Sequence, residues 1–234
     1  MPRLQEMSPG GIGLAMPAAG AGRRMGGLRK TFLELRGEPI LLHALRPFLE
    51  HPAFQAFVVA LGEEDFRSPP AWIHEVDSRV RLVRGGATRG DSVWAAVEAM
   101  PGGIELVAIH DAARPLVSRE IIDRCLDGTG PGRGSVAGLP AVDTLKRVGE
   151  GNRIAGTVAR EAIWHAQTPQ VFPAGLIRQA YRAARRDGVT DTDDSALVER
   201  IGGEVVMVRG AVTNLKVTRP QDLVLAELFL EDGS

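Results

Sequence analysis

Three stretches of this chain combine residue types that suit a phosphorylated ligand. In the first, Ile12 to Lys30 (IGLAMPAAGAGRRMGGLRK), a short apolar strand runs into glycines, Arg23, Arg24 and Lys30. Gly20 and Gly22 allow close approach of the main chain, so successive N–H groups can cradle phosphate oxygens while the cations add positive charge beside them. A Walker A loop would place a lysine and then Ser or Thr after its last glycine, but Arg23 stands there. A Rossmann fingerprint would need a third glycine where Met25 stands, so a dinucleotide site is disfavoured.

The second stretch is HDAARP. Asp111 follows the apolar run Leu106 to Ile109, and a carboxylate at a strand end can coordinate Mg²⁺ bridging nucleotide phosphates. A capping aspartate is the competing reading. Arg114, taken alone, is a solvated or salt-bridged arginine, and His110, with no second histidine at zinc spacing, is expected to pack. The third stretch, RGGATRGDSVWAAV, joins Gly85, Gly86, Arg89 and Ser92 ahead of an apolar helix. It can offer backbone groups and a hydroxyl to a base or ribose, with Asp91 or Ser92 expected as the helix N-cap.

Other segments are weaker alone. Thr168 in WHAQTPQVF is restricted by the following proline. The acidic run DTDDSALVE, residues 191 to 199, reads as charges at a helix N-terminus rather than as a metal cluster. Lys216 sits two residues after Asn214 in NLKVT, just before Pro220 opens a last helix.

Elements that alternate along the chain must position these residues. Apolar runs at Ile12 to Met16, Phe57 to Leu61, Val80 to Val83, Leu106 to Ile109, Val136 to Leu139 and Val205 to Val208 alternate with helical patterns at Ile40 to Phe48, Ser92 to Met100, Ser118 to Leu126 and Leu176 to Arg186. The pattern predicts an α/β fold: three layers, with a mostly parallel Rossmann-like sheet flanked by helices. Ligands then belong beyond the carboxyl ends of the strands, where the three stretches fall. Asp143 to Val158 breaks the alternation and reads as a protruding β-hairpin arm. A lone ribbon is marginal in water, so packing on a second copy, in a homodimer, is expected.

Composition narrows the class. At 234 residues, 44% hydrophobic, the chain can build one sizeable core, so a single domain over residues 1–234 with an arm at about 141–160 is expected. Lys and Arg total 28 against 29 Asp and Glu, which lacks the field that generic nucleic-acid or anionic-membrane binding requires. The single cysteine, Cys125, lies among Ile121, Ile122 and Leu126 and reads as packing. No signal core or membrane-length apolar stretch occurs, so a cytoplasmic location is expected.

Together, PAAGAGRRM, the lysine before FLEL, RGGATRGDSV, HDAARP, PAVDTLKR, WHAQTPQVF, TDTDDSALVE and NLKVTRPQDL closely resemble the 2-C-methyl-D-erythritol 4-phosphate cytidylyltransferase family, from about Ile12 to about Leu228. The resemblance implies a cytoplasmic homodimer that joins CTP and the polyol phosphate, releasing pyrophosphate, with Mg²⁺ or another divalent cation. It assigns Arg24 and Lys30 to the triphosphate and Asp111 to the metal. Arg160 and Lys216, with Thr144, Thr168, Thr190 and Arg114, fall to the substrate phosphate side, Thr144 and Arg160 reaching across the dimer. Ala18, Ala19, Gly20, Gly22, Gly86 and Ser92 fall to CTP. This chain departs in carrying Arg29 where a proline is common, and Ala87 where some members are acidic. Competing readings are a cytidylyltransferase for another polyol phosphate such as ribitol 5-phosphate, a non-catalytic nucleotide-binding protein and an NAD-dependent dehydrogenase.

Overall fold

The apolar runs become strands because, in a sheet covered on both faces, successive side chains enter two different cores. The structure is a computed structural model that describes residues 10–20, 30–189 and 193–232. Its central sheet has seven strands: β1 (Gly11–Pro17), β4 (Phe54–Leu61), β5 (Val80–Arg84), β6 (Ile104–Ile109), β7 (Arg133–Pro140), β10 (Trp164–Pro173) and β11 (Glu204–Arg209), in the order β11-β7-β10-β6-β1-β4-β5. All lie parallel except β10, which runs antiparallel between β6 and β7. β1 is buried over most of its length, whereas the edge strands β5 and β11 are half-covered.

The period-2 alternation separates the layers. Leu14, Met16, Phe57 and Val59 enter the core shared with α1 (Ile40–Leu49) and α5 (Arg119–Gly128), and Ala15, Val58 and Ala60 the one shared with α4 (Arg89–Glu98), α6 (Ala174–Arg186) and α7 (Asp194–Arg200). In α5, Ile121, Ile122, Cys125 and Leu126 form the buried stripe. Cys125 packs as expected; burial pushes its thiol pKa up to about 12. A third small cluster, Leu35, Ile40, Val217 and Ala226, seats the last helix α8 (Pro220–Asp232).

Three features differ from the sequence reading. β10 carries Gln167, Thr168, Pro169 and Gln170 and shows no apolar alternation there, yet all four are buried because the strand is central, not exposed. The N-cap of α4 is Thr88, not Asp91 or Ser92: Thr88 Oγ1 accepts from Asp91 N–H while Asp91 accepts in return, a capping box. Two short helices, α2 (Glu63–Arg67) and α3 (Ala71–Glu75), lie between β4 and β5.

The expected hairpin forms. β8 (Leu145–Val148) and β9 (Ile154–Val158) pair antiparallel in a two-stranded sheet of their own, as do the short β2 (Glu34–Leu35) and β3 (Glu38–Pro39) ahead of α1. The hairpin's turn places Gly151 at φ 64° and Asn152 at φ 60°, left-handed backbone that these residue types tolerate. Val148 and Ile154 are 53% and 66% exposed.

Candidate active site

At the carboxyl end of β6 the chain turns away from the sheet through His110 and Asp111. Arg114 N–H donates to the Asp111 carbonyl at 2.9 Å, closing a turn that holds the Asp111 side chain among three cations. Lys216 Nζ donates to Asp111 Oδ2 at 2.7 Å, Arg89 Nε to Oδ1 at 2.9 Å, and Arg114 Nε lies 3.9 Å from Oδ2. Burial alone would raise the Asp111 pKa, but the charges of Arg89 and Lys216 outweigh it and hold the carboxyl far below the usual carboxylate range.

Lys216 arrives there because the loop after β11 is stitched beneath β10. Asn214 is fully buried; its Nδ2 donates to the Thr168 carbonyl at 2.8 Å and to Gln167 Oε1 at 3.2 Å. Its own carbonyl accepts from Arg114 Nη1 at 2.7 Å, and Val217 N–H donates to Ala113 O at 2.8 Å. Residues distant in sequence, Asp111, Arg114, Thr168 and Lys216, therefore form one unit.

Thr168 stands behind Asp111 in that unit. His110 Nε2 lies 3.1 Å from the Arg114 carbonyl, which only accepts, so Nε2 carries the proton. His110 Nδ1 then accepts from the Thr168 hydroxyl at 3.0 Å, and Thr168 Oγ1 accepts from Asp111 N–H at 3.0 Å. Burial lowers the His110 pKa to about 4, consistent with that neutral ring. The Thr168 hydroxyl, read from the sequence as facing substrate, thus has both of these partners inside the protein.

The loops after β1 and β5 meet beside this unit. A side chain at Gly85 would meet Ala19 Cβ at 2.6 Å and Ser92 Oγ at 2.8 Å, so the diglycine lets the two loops touch. Ser92, buried, accepts from Gly86 N–H at 3.2 Å and donates to Thr88 O at 3.0 Å; its hydroxyl braces the loop. Ala18 is buried with its N–H given to Ala60 O at 2.8 Å, while Gly20 and Gly86 are exposed. Thr144 and Arg160 lie exposed at the base of the hairpin, where Arg160 Nη1 donates to the Val142 carbonyl. Gly22, Arg24, Thr190 and the side chain of Lys30 lie outside the described residues.

Nothing local in the chain marks the partners of Arg89. The Arg89 Nη2 lies 2.8 Å from Asp194 Oδ2, and Asp194, 1% exposed, accepts at Oδ1 from Tyr181 OH at 2.5 Å. Asp194, expected as a helix-end charge, opens α7 but faces inward.

No group of three or more His, Cys, Asp or Glu among the described residues could hold a metal ion. A cation caged by protein ligands alone does not fit. Mg²⁺ held mainly by phosphate oxygens and water needs only one or two carboxylates. Asp111 fits that role, since it is ionised and its Oδ2 is covered by a lysine whose side chain is 33% exposed.

Comparison with known proteins covers nearly the whole chain. A family model described as IspD, 2-C-methyl-D-erythritol 4-phosphate cytidylyltransferase, matches residues 12–232. The protein so named from Symbiobacterium thermophilum is 44% identical over 222 residues, spanning 94% of this chain and 93% of its own; that from Solibacter usitatus is 40% identical over 238 residues, spanning 94% and 96%. The crystal structure of the Thermus thermophilus cytidylyltransferase of that name superposes with a TM-score of 0.78 at 36% identity, covering 95% of this chain and 98% of that one. The 4-diphosphocytidyl-2C-methyl-D-erythritol synthase of Anaerococcus prevotii gives 0.82 at 25% identity, covering 95% and 97%. With the motifs in one order, the sheet shared and the match running from β1 into α8, the chain belongs to the 2-C-methyl-D-erythritol 4-phosphate cytidylyltransferase family.

Proposed function

We propose that the protein transfers the cytidylyl group of CTP to 2-C-methyl-D-erythritol 4-phosphate, giving 4-diphosphocytidyl-2-C-methyl-D-erythritol and pyrophosphate, a step of the non-mevalonate route to isoprenoid precursors. The observation that carries this is the meeting of the Ala18–Gly20 and Gly85–Gly86 loops beside Asp111 and Lys216 at the strands' carboxyl ends, in a chain of this family.

An oxygen of the substrate phosphate attacks the α-phosphorus of CTP in line, a new P–O bond forms, and the bond to the β-phosphate breaks with its electrons leaving on pyrophosphate. A phosphate monoester has a second pKa of about 6, so the nucleophile is largely ionised near neutral pH and no strong general base is required. Positioning and charge stabilisation are the remaining tasks. Lys216 and Arg160 neutralise and aim the substrate phosphate, with Thr144, Thr190 and Arg114 beside them. Arg24 and Lys30 hold the triphosphate, and the main chain at Ala18, Ala19, Gly20, Gly22 and Gly86, braced by Ser92, receives CTP. Asp111 would hold Mg²⁺, which when bound spreads the charge of the α-phosphate and of the leaving pyrophosphate.

The exposed Thr144 and Arg160 support a homodimer in which the 141–160 arm completes the partner's site. No helix among the described residues is long and apolar enough to cross a membrane, and we place the activity in the cytoplasm. The deciding experiment measures pyrophosphate release with CTP, Mg²⁺ and a panel of polyol phosphates. Turnover with methylerythritol phosphate is expected; turnover only with ribitol 5-phosphate, or none with any nucleotide, would overturn the assignment.

A further inference from the structure

Asp111 is held differently on its two oxygens. On Oδ2 sits Lys216, at the end of a flexible stem, with a side chain 33% exposed. On Oδ1 sits Arg89, which opens α4 and runs inward to bridge two carboxylates, Asp111 at 2.9 Å and Asp194 at 2.8 Å. Burial opposes ionisation of Asp194, so withdrawing the Arg89 guanidinium would strand a poorly solvated carboxyl group. Tyr181 fixes the far end, donating its hydroxyl to Asp194 Oδ1 and stacking on Trp94 of α4 with ring centroids 5.7 Å apart. α4, α6 and α7 thus converge on one guanidinium.

We propose that Arg89 is a positioning residue for nucleotidyl transfer: clamped by Asp194 and Tyr181, it locks the Asp111 carboxylate through Oδ1 so that Oδ2 is the oxygen turned toward the phosphates. This rests on the reading of Asp111 as the ligand for the divalent cation. A planar guanidinium can hold two carboxylates in fixed relative orientation, whereas an ammonium at the same place cannot reproduce the fork. Arg89 touches neither substrate in this account; it acts through Asp111.

The test compares Arg89→Lys, which keeps the charge and loses the fork, with Tyr181→Phe and Asp111→Asn. CTP affinity is read by calorimetry in EDTA and again across a Mg²⁺ titration, and Mn²⁺ affinity by electron paramagnetic resonance. In Arg89→Lys, CTP binding in EDTA should stay at the wild-type value, while divalent-cation affinity in the presence of CTP falls about tenfold, the scale of losing an outer-shell partner. Tyr181→Phe should show a smaller loss in the same direction. In the Asp111→Asn background, adding Arg89→Lys should change nothing further. If Arg89→Lys does not fold, Arg89→Gln with Asp194→Asn replaces the ion pair by neutral groups and carries the same expectation. A folded variant with wild-type cation affinity would overturn the proposal and leave Arg89 as a packing element. Equal loss of CTP affinity with and without the cation would overturn it too, by making Arg89 a direct nucleotide contact. An unchanged cation response in Asp111→Asn would instead remove the reading of Asp111 on which the proposal stands.

Discussion

The Asp111 end of the sheet and the hairpin at 145–158 are both assigned to the same substrate phosphate, yet the chain treats them in opposite ways. Around Asp111, Arg114, Thr168 and Lys216, the polar groups are tied to one another and to a buried backbone turn. At the base of the hairpin Thr144 and Arg160 are exposed, and on its strands apolar Val148 and Ile154 face water. One half of the site is preorganised by the fold; the other half, in the proposed homodimer, would be completed by a second chain. The electrostatic consequence differs as well, because buried charges interact strongly while exposed ones are screened.

Substitutions sharpen that contrast, and the largest effect belongs to the buried half. Asp111→Asn removes the counter-charge of Arg89 and Lys216 together with the proposed metal ligand. Its kcat should fall by about two to three powers of ten, the scale of losing one preorganised electrostatic group, as read by single-turnover pyrophosphate release. A fall of less than threefold would strip Asp111 of its role.

Next comes a stability effect confined to the same half. His110 is buried neutral, its pKa lowered from the ordinary 6.5 to about 4, so the folded state resists a proton that the unfolded chain takes up readily. The stability this represents is fully present above pH 6.5, declines as pH falls, and by pH 4 amounts to a loss of about 3 kcal/mol. Urea unfolding from pH 7.5 to 4 should show wild type losing more stability than His110→Asn by about that difference. Parallel pH profiles for the two would show that His110 does not titrate as described.

The hairpin should give smaller, more selective effects. Arg160→Ala should raise the KM for the polyol phosphate about tenfold, equivalent to about 1.4 kcal/mol, with CTP affinity unchanged by calorimetry. Equal loss for both substrates would misplace it. The smallest change is expected for Ile154→Ser, which should alter unfolding of the isolated chain by less than about 0.5 kcal/mol, as exposed positions do. Sedimentation should nevertheless show weaker self-association. A chain that sediments as a monomer before and after the change would remove the dimer from this account.

Much of this was legible in sequence because it is local. Short apolar runs between helical patterns marked six strands of the central sheet, three- and four-residue spacing marked the main helices, and the polar GEGN turn marked the hairpin. His110 and Cys125 read correctly as packed residues. The seventh strand escaped because Gln167 to Gln170 look like a loop; their burial is decided by β6 and β7 on either side. The hydroxyls of Ser92 and Thr168 were visible as hydroxyls, but not that they face inward, to Gly86 and Thr88 and to His110 and Asp111.

By itself the sequence determined the α/β architecture, the placement of the phosphate-suited loops after strands, and the family, since these follow from periodicity and from motifs in order. Only the tertiary structure decided which charges meet. Arg89 reaches Asp194 from another helix, and Lys216 reaches Asp111 from a loop fixed by buried Asn214. The physical reason is that charge pairing depends on distances of a few ångströms and on exclusion of water, and neither is a property of residues adjacent in the chain.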